Sequence, residues 1–226
     1  MPPLALAETA ALLADRTRAA FCLALLDGRA WTAGELARHA GVRPSTASEH
    51  LSRLIAGGLL TEERQGRHRY VRLAGPEAAT LVETLSSYSP PAPRPTSLRE
   101  STRLTAEARA RTCYDHLAGR LGVALADAMI DRGLVATDSG LAVTPTGRAW
   151  LADSLAFSPP ARSRRPLVRS CLDWTERRPH LAGALGAALR TTALTRDWLH
   201  PVGTGRALAL TPEGTRAFRD LLGVEL

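Results

Sequence analysis

Two cysteines and two histidines in the C-terminal half are the residues best suited to chemistry. In "ARTCYDHLAG", Cys113 and His116 stand three positions apart, and "CLDWTERRPHLAG" carries Cys171, Asp173 and His180. Thiolate sulfur and neutral imidazole together suit a soft or borderline ion such as zinc, and thiols alone suit arsenite. A thiol beside an imidazole can also be a nucleophile and its base. If Glu100 to Gly119 is one helix, however, Cys113 and His116 share a face from which Asp115 points away, so no third group orients the pair. Neither a Gly-rich phosphate loop nor HExxH nor GxSxG occurs, and an enzyme is not expected.

The segments that must position these residues are repeated. "HLAGRLGVAL" from His116 is echoed by "HLAGALGAAL" from His180, and "VTPTGRAWLADSL" from Val143 by "LTPEGTRAFRDLL" from Leu210. Each unit reads as helix, helix, short hairpin, helix, over about residues 100–157 and 167–226, so 100–226 is expected to be a duplicated effector or dimerisation region. Proline at 179 suggests that His180 starts a helix. "PPAPRPTS" from Pro90 to Ser97 can continue neither helix nor ladder, which makes 90–99 a linker and 1–89 a separate module.

Composition bounds the partners. The 226 residues are 45% hydrophobic and 23% charged, as in an ordinary globular protein of one or two domains. No apolar run approaches the ~18 residues of a membrane span, and no signal peptide opens the chain, so the sequence reads as cytoplasmic, without a membrane partner. Three cysteines, Cys22, Cys113 and Cys171, argue against a disulfide framework. The net charge of +7 hints at a polyanion, and all 29 basic residues are Arg, which suits bidentate contact to phosphate or guanine. Residues 1–89 hold 10 Arg against 9 acids, so a case for DNA must rest on local placement.

That placement is found in the N-terminal module. "DRTRAAFCLALL" opens on a candidate N-cap, Asp15, and buries Phe21, Cys22, Leu25 and Leu26 on one face. "TAGELARHAG" starts with Thr32 and Glu35 in capping-box spacing and closes at Gly41, and Pro44 suits the first position of the next helix. In that helix Ala47, Leu51, Leu54 and Ile55 form an apolar stripe, while Ser45, Thr46, Ser48, Glu49, His50, Ser52 and Arg53 line the rest. Helix, glycine turn and polar-faced helix make a helix-turn-helix. Beyond Gly57 and Gly58, "LLTEERQGRHRYVRLA" reads as two short strands about a turn at Gln65 and Gly66, a wing whose tip carries Arg64, Arg67, His68 and Arg69.

Residues Leu13 to Leu73, with the "LADRTR" start, the "STASEHLSRL" helix, the "GGLL" exit and the "RQGRHRYVRL" wing, resemble the winged-helix domain of the ArsR/SmtB repressors, the arsenical- and metal-responsive regulators of bacteria. The resemblance implies a homodimer that binds operator DNA and releases it to an effector. It also implies that "PEAATLVETLSSY" from Pro76 to Tyr88 is a dimerisation helix. On this reading Arg43, Ser45, Thr46, Ser48, Glu49, His50 and Arg53 face the major groove, and Arg64, Gln65, Arg67, His68 and Arg69 hold the backbone. The operator is expected to be a pseudo-palindrome of double-stranded DNA.

Both usual metal sites of that family are missing here, since "WTAGELARHA" has no Cys and the dimerisation helix no His. An effector is therefore sought in the C-terminal region. One reading is a thiol-bound metal or metalloid at Cys113, His116, Cys171 and His180; another is a small-molecule pocket walled by Tyr114, Trp174 and Trp198; a third is that the region only builds the dimer. Asp127 and Asp131 argue against DNA contact by the first unit, whereas Arg190, Thr191, Thr192 and Arg196 leave room for auxiliary contact by the second. The expected fold is mainly α with small β-hairpins, and the expected function is an effector-released transcriptional repressor, with a non-specific architectural DNA binder as the remaining alternative.

Overall fold

The computed structural model describes residues 3–66, 68–88, 97–138, 140–159, 162–163 and 165–226. The chain forms two compact units, Met1–Val82 and Glu83–Leu226.

The first unit is built by its caps. After α1 (Pro3–Leu13), Asp15 accepts from the Arg18 amide at 3.0 Å and starts α2 (Arg16–Ala24), which tightens into a 3-10 turn at Leu25–Asp27. Arg18 ties these helices together, donating to the Leu12 and Ala11 carbonyls at 2.5 and 2.7 Å. Following β1 (Trp31–Thr32), a complete capping box between Thr32 and Glu35 opens α3 (Ala33–Ala40), and Gly41 closes it at φ +66°, a left-handed conformation that favours glycine. Pro44 begins α4 (Pro44–Ala56). Strands β2 (Leu60–Gln65) and β3 (His68–Leu73) form the wing, and β1 adds to β3 in the antiparallel order β1-β3-β2. Phe21, Leu26, Leu36, Leu51, Leu54 and Val71 are fully buried between them. Cys22 is buried with them, as its place in the apolar stripe predicts.

Helix α5 (Pro76–Ser87) covers the expected dimerisation segment, and the division between units falls inside it rather than at the proline-rich stretch. The cause is Glu83, which is buried and ion-paired with Arg206 at 3.0 Å, so the end of α5 belongs to the second unit. Residues 90–96 of the expected linker lie outside the described residues, while Ser97 caps α6 (Leu98–Arg109), so 97–99 are not linker.

The second unit is duplicated, as the repeat predicts, but each copy is hairpin, helix, hairpin, helix. The first copy runs β4 (Arg111–Cys113), β5 (His116–Ala118), α7 (Gly119–Asp131), β6 (Val135–Ala136), β7 (Ala142–Val143) and α8 (Pro145–Leu155). The second runs β8 (Arg169–Leu172), β9 (Pro179–Ala182), α9 (Gly183–Thr195), β10 (Leu199–Pro201), β11 (Leu208–Leu210) and α10 (Pro212–Leu222). The expected helix from Glu100 to Gly119 is corrected: the chain turns extended at Ala110, φ −154° and ψ 132°, and Arg111–Cys113 pairs with His116–Ala118. His180 likewise lies in a strand, and the helix starts at Gly183. Thr144 and Thr211 cap α8 and α10 identically, each accepting from a glycine amide at 2.9 Å. Leu121, Leu125 and Met129 of one copy join Leu185, Leu189, Trp198 and Phe218 of the other in one core.

Candidate nucleic-acid interface and Cys–His cluster

Helix α4 has two chemically distinct faces. Ala47, Leu51 and Leu54 are buried against the first unit, and Ile55 is half-buried. Arg43, Ser45, Ser48, Glu49, Ser52 and Arg53 are exposed on the other side. Thr46 is half-buried, and the Ser52 hydroxyl donates to the Ser48 carbonyl at 2.9 Å, inside the helix. His50 departs from the expected set. Its Nδ1 lies 3.4 Å from Arg18 Nη1 and 3.6 Å from Asp15 Oδ1, which turns the ring back onto the start of α2. It braces α4 rather than extending the exposed strip. Asp15, held below the usual carboxylate range chiefly by the Arg18 amide that it caps, anchors the same corner.

In the wing Gln65 pairs with His68, so Gln65, expected in the turn, lies in the ladder instead. Arg64, Gln65 and His68 are exposed. Arg67, the expected centre of the tip, lies outside the described residues. Arg69 is half-buried and ion-paired to Glu62 across the ladder, so that it stiffens the wing instead of crowning it.

In the second unit the four expected ligands converge. Cys113 and His116 are register partners across β4 and β5, and Cys171 and His180 are register partners across β8 and β9. The two sulfurs are 3.9 Å apart, the two Nε2 atoms 3.1 Å apart, and one ligand atom from each residue falls within 4.8 Å of all the others. All four side chains are buried. Glycines allow the close approach: a Cβ on Gly186 would stand 2.3 Å from the Leu181 carbonyl and 3.0 Å from His116 Cβ, and one on Gly122 would stand 2.5 Å from the Leu117 carbonyl and 3.5 Å from His180 Cβ.

Carboxylates that sequence reasoning did not assign sit behind both imidazoles. Asp115 Oδ1 is 3.2 Å from His116 Nδ1, which corrects the expectation that Asp115 points away, and Asp173 Oδ2 is 3.4 Å from His180 Nδ1. Asp173 also accepts from the Gly119 amide at 2.6 Å and from Arg111 at 2.9 Å, with both charged groups fully buried. The Arg111 guanidinium lies over the Trp174 ring, 4.9 Å from its centroid. Burial acts against charge on His180, but the nearby Asp173 carboxylate and Cys171 sulfur prevail and push its pKa up to about 9. Cys171 is drawn toward thiolate by the Cys113 thiol and the neighbouring imidazoles, while burial pushes Cys113 up.

Trp198 is not part of this cluster. It is buried edge-on against Phe218, ring centroids 5.6 Å apart, as a core residue, and Tyr114 occupies the short turn of the first hairpin at φ +58°. The pocket expected between Tyr114, Trp174 and Trp198 therefore lacks one wall. Asp115 and Asp173 are visible in the sequence beside the Cys and His residues and Arg111 could have been noticed there too, but only the hairpin register shows how they stand to the imidazoles.

A family model described as a helix-turn-helix domain matches residues 13–63. YdfF of Bacillus subtilis, an uncharacterized HTH-type transcriptional regulator, is 40% identical over 223 residues, 98% of this chain and 98% of its own. The HTH-type transcriptional regulator CmtR of Mycobacterium bovis is 41% identical over 81 residues, 36% of this chain and 68% of its own. Among solved structures, the homodimeric winged helix-turn-helix DNA-binding domain of Mb0332 from Mycobacterium bovis, a possible ArsR-family regulator, shows 31% identity over 36% of this chain and 74% of that one, with a TM-score of 0.33. The likeness to YdfF runs through the winged helix and the duplicated region alike. The chain belongs to the HTH-type transcriptional regulators: it is a DNA-binding regulator with a winged helix-turn-helix at its N-terminus.

Proposed function

We propose that this chain acts as a homodimeric repressor that lets go of its operator when an effector engages the second unit. The observation that carries the reading is the exposed strip of Ser45, Ser48, Glu49 and Arg53 on α4, backed by the buried Ala47, Leu51 and Leu54. Short hydroxyls, one carboxylate and one guanidinium can accept from and donate to base edges in a major groove wide enough for a helix. Glu49 would repel phosphate, so a surface evolved only to grip the backbone has no use for it; as a base reader it can accept from cytosine N4. On the wing, exposed Arg64 supplies positive charge and exposed His68 a ring nitrogen for phosphate.

Dimerisation is supported by large apolar side chains left at the surface, Leu85 in the last turn of α5 and Tyr88 just beyond it. A two-fold dimer pairs with half-sites about one helical turn apart. Fluorescence anisotropy with a promoter duplex and a scrambled duplex tests the reading. Tighter binding to the promoter, reduced toward the scrambled level in a Glu49→Ala Arg53→Ala variant, supports it; equal affinity for both duplexes in the wild type favours an architectural binder instead.

A further inference from the structure

We propose that Cys113, His116, Cys171 and His180 form a tetrahedral site for one zinc-class divalent ion, which clips the two copies of the duplicated unit together. Each copy contributes one sulfur and one nitrogen as a cross-strand pair, so neither copy completes the site alone. Zinc–sulfur bonds of ~2.3 Å and zinc–nitrogen bonds of ~2.0–2.1 Å at tetrahedral angles set ligand edges of about 3.8 Å between sulfurs and about 3.3 Å between nitrogens. The observed separations are 3.9 and 3.1 Å.

Three further observations agree. The sulfurs are too far apart for a disulfide, which needs ~2.05 Å, and both cysteines are free. Both imidazoles aim Nε2 at the shared centre with a carboxylate near Nδ1: Asp115 lies within hydrogen-bond reach of His116 at 3.2 Å, and Asp173 stands 3.4 Å from His180 Nδ1, a buried nitrogen that makes no hydrogen bond among the described residues. This is the outer-shell arrangement that fixes the tautomer and orientation of metal-bound histidine. Finally, the site is buried, and two thiolates with two neutral imidazoles balance a divalent cation, so the filled centre is neutral; whatever protons the sulfurs and imidazoles carry at those positions leave for solvent as the ion binds. Four protein ligands leave no open position, which marks a closed site rather than a catalytic one.

The inference rests on the geometry of the second unit and not on the DNA-binding reading. The test uses the purified full-length chain. Elemental analysis is expected to find one zinc per chain, and after chelation and dialysis Co2+ should bind at one equivalent with sulfur-to-cobalt charge-transfer absorption and the intense visible bands of tetrahedral cobalt. Cys22→Ser should retain that spectrum; Cys113→Ser and Cys171→Ser should each weaken it at least tenfold in a competition with a chromophoric chelator. His116→Gln, in which no thiol changes, should keep the charge-transfer band but alter the visible bands. A wild-type chain, folded by circular dichroism, that takes up neither zinc nor cobalt overturns the proposal. So does cobalt binding that survives unchanged in a Cys113→Ser Cys171→Ser variant. Operator binding measured in parallel separates this outcome from the repressor reading.

Discussion

At the residue scale, specificity and affinity should separate between α4 and the wing. Arg53→Ala is expected to cost about 1–3 kcal/mol on the promoter duplex and little on a scrambled one, because a base contact is lost. Arg64→Ala should weaken both duplexes alike and lower the salt slope by about one, as loss of a single phosphate contact does. Titrations of both variants over a range of salt would check this. His50, which the sequence places among the base readers, is turned to Asp15 and Arg18, and its substitution should act mainly on stability. Asp15→Ala removes the cap of α2 and should cost about 0.5–2 kcal/mol in urea unfolding. The Asp15 carboxyl titrates lower in the folded chain than in the unfolded one. Its contribution is therefore complete above the ordinary Asp range and fades as pH falls through the lowered value. The gap between wild type and Asp15→Ala should narrow in acid accordingly. Cys22, its thiol pushed up to about 12 by burial, should resist iodoacetamide in the native chain and react once urea unfolds it.

At the element scale, the N-terminal unit was legible because its boundaries are written in local chemistry. Asp15, the Thr32–Glu35 box, Gly41 and Pro44 each satisfy or remove backbone donors within a few residues, and the structure uses all four as read. The second unit showed one hairpin per copy in its sequence but hid the first of each. Strands of three or four residues such as Arg111–Cys113 and Pro179–Ala182 are too short for a period of two to show, and their extended form depends on partners across the turn. The Cys–His cluster was half legible. The equivalence of His116 and His180 is visible in the repeat, but Cys113 stands three residues before its histidine and Cys171 nine before its own, so the longer second loop conceals that the cysteines match too. A Cβ on Gly186 would meet the Leu181 carbonyl of β9 and His116 Cβ of the first hairpin, and Gly186→Ala should destabilise the chain by about 1–3 kcal/mol through overpacking there. Thermal unfolding would read that loss.

At the scale of the whole molecule, the winged helix-turn-helix and the duplicated region belong to separate compact units, and the likeness to YdfF spans both. The net charge of +7 draws the chain toward any polyanion, so charge alone does not distinguish an operator from bulk DNA. On the proposed reading the distinction lies with the exposed strip of α4, and footprinting of the full-length chain on the DNA upstream of its own gene addresses it most directly. Protection of one short pseudo-palindrome, with half-sites about one helical turn apart and loss of protection in Glu49→Ala Arg53→Ala, is the predicted result. Protection that spreads over any sequence as concentration rises, unchanged by that double substitution, would contradict the account.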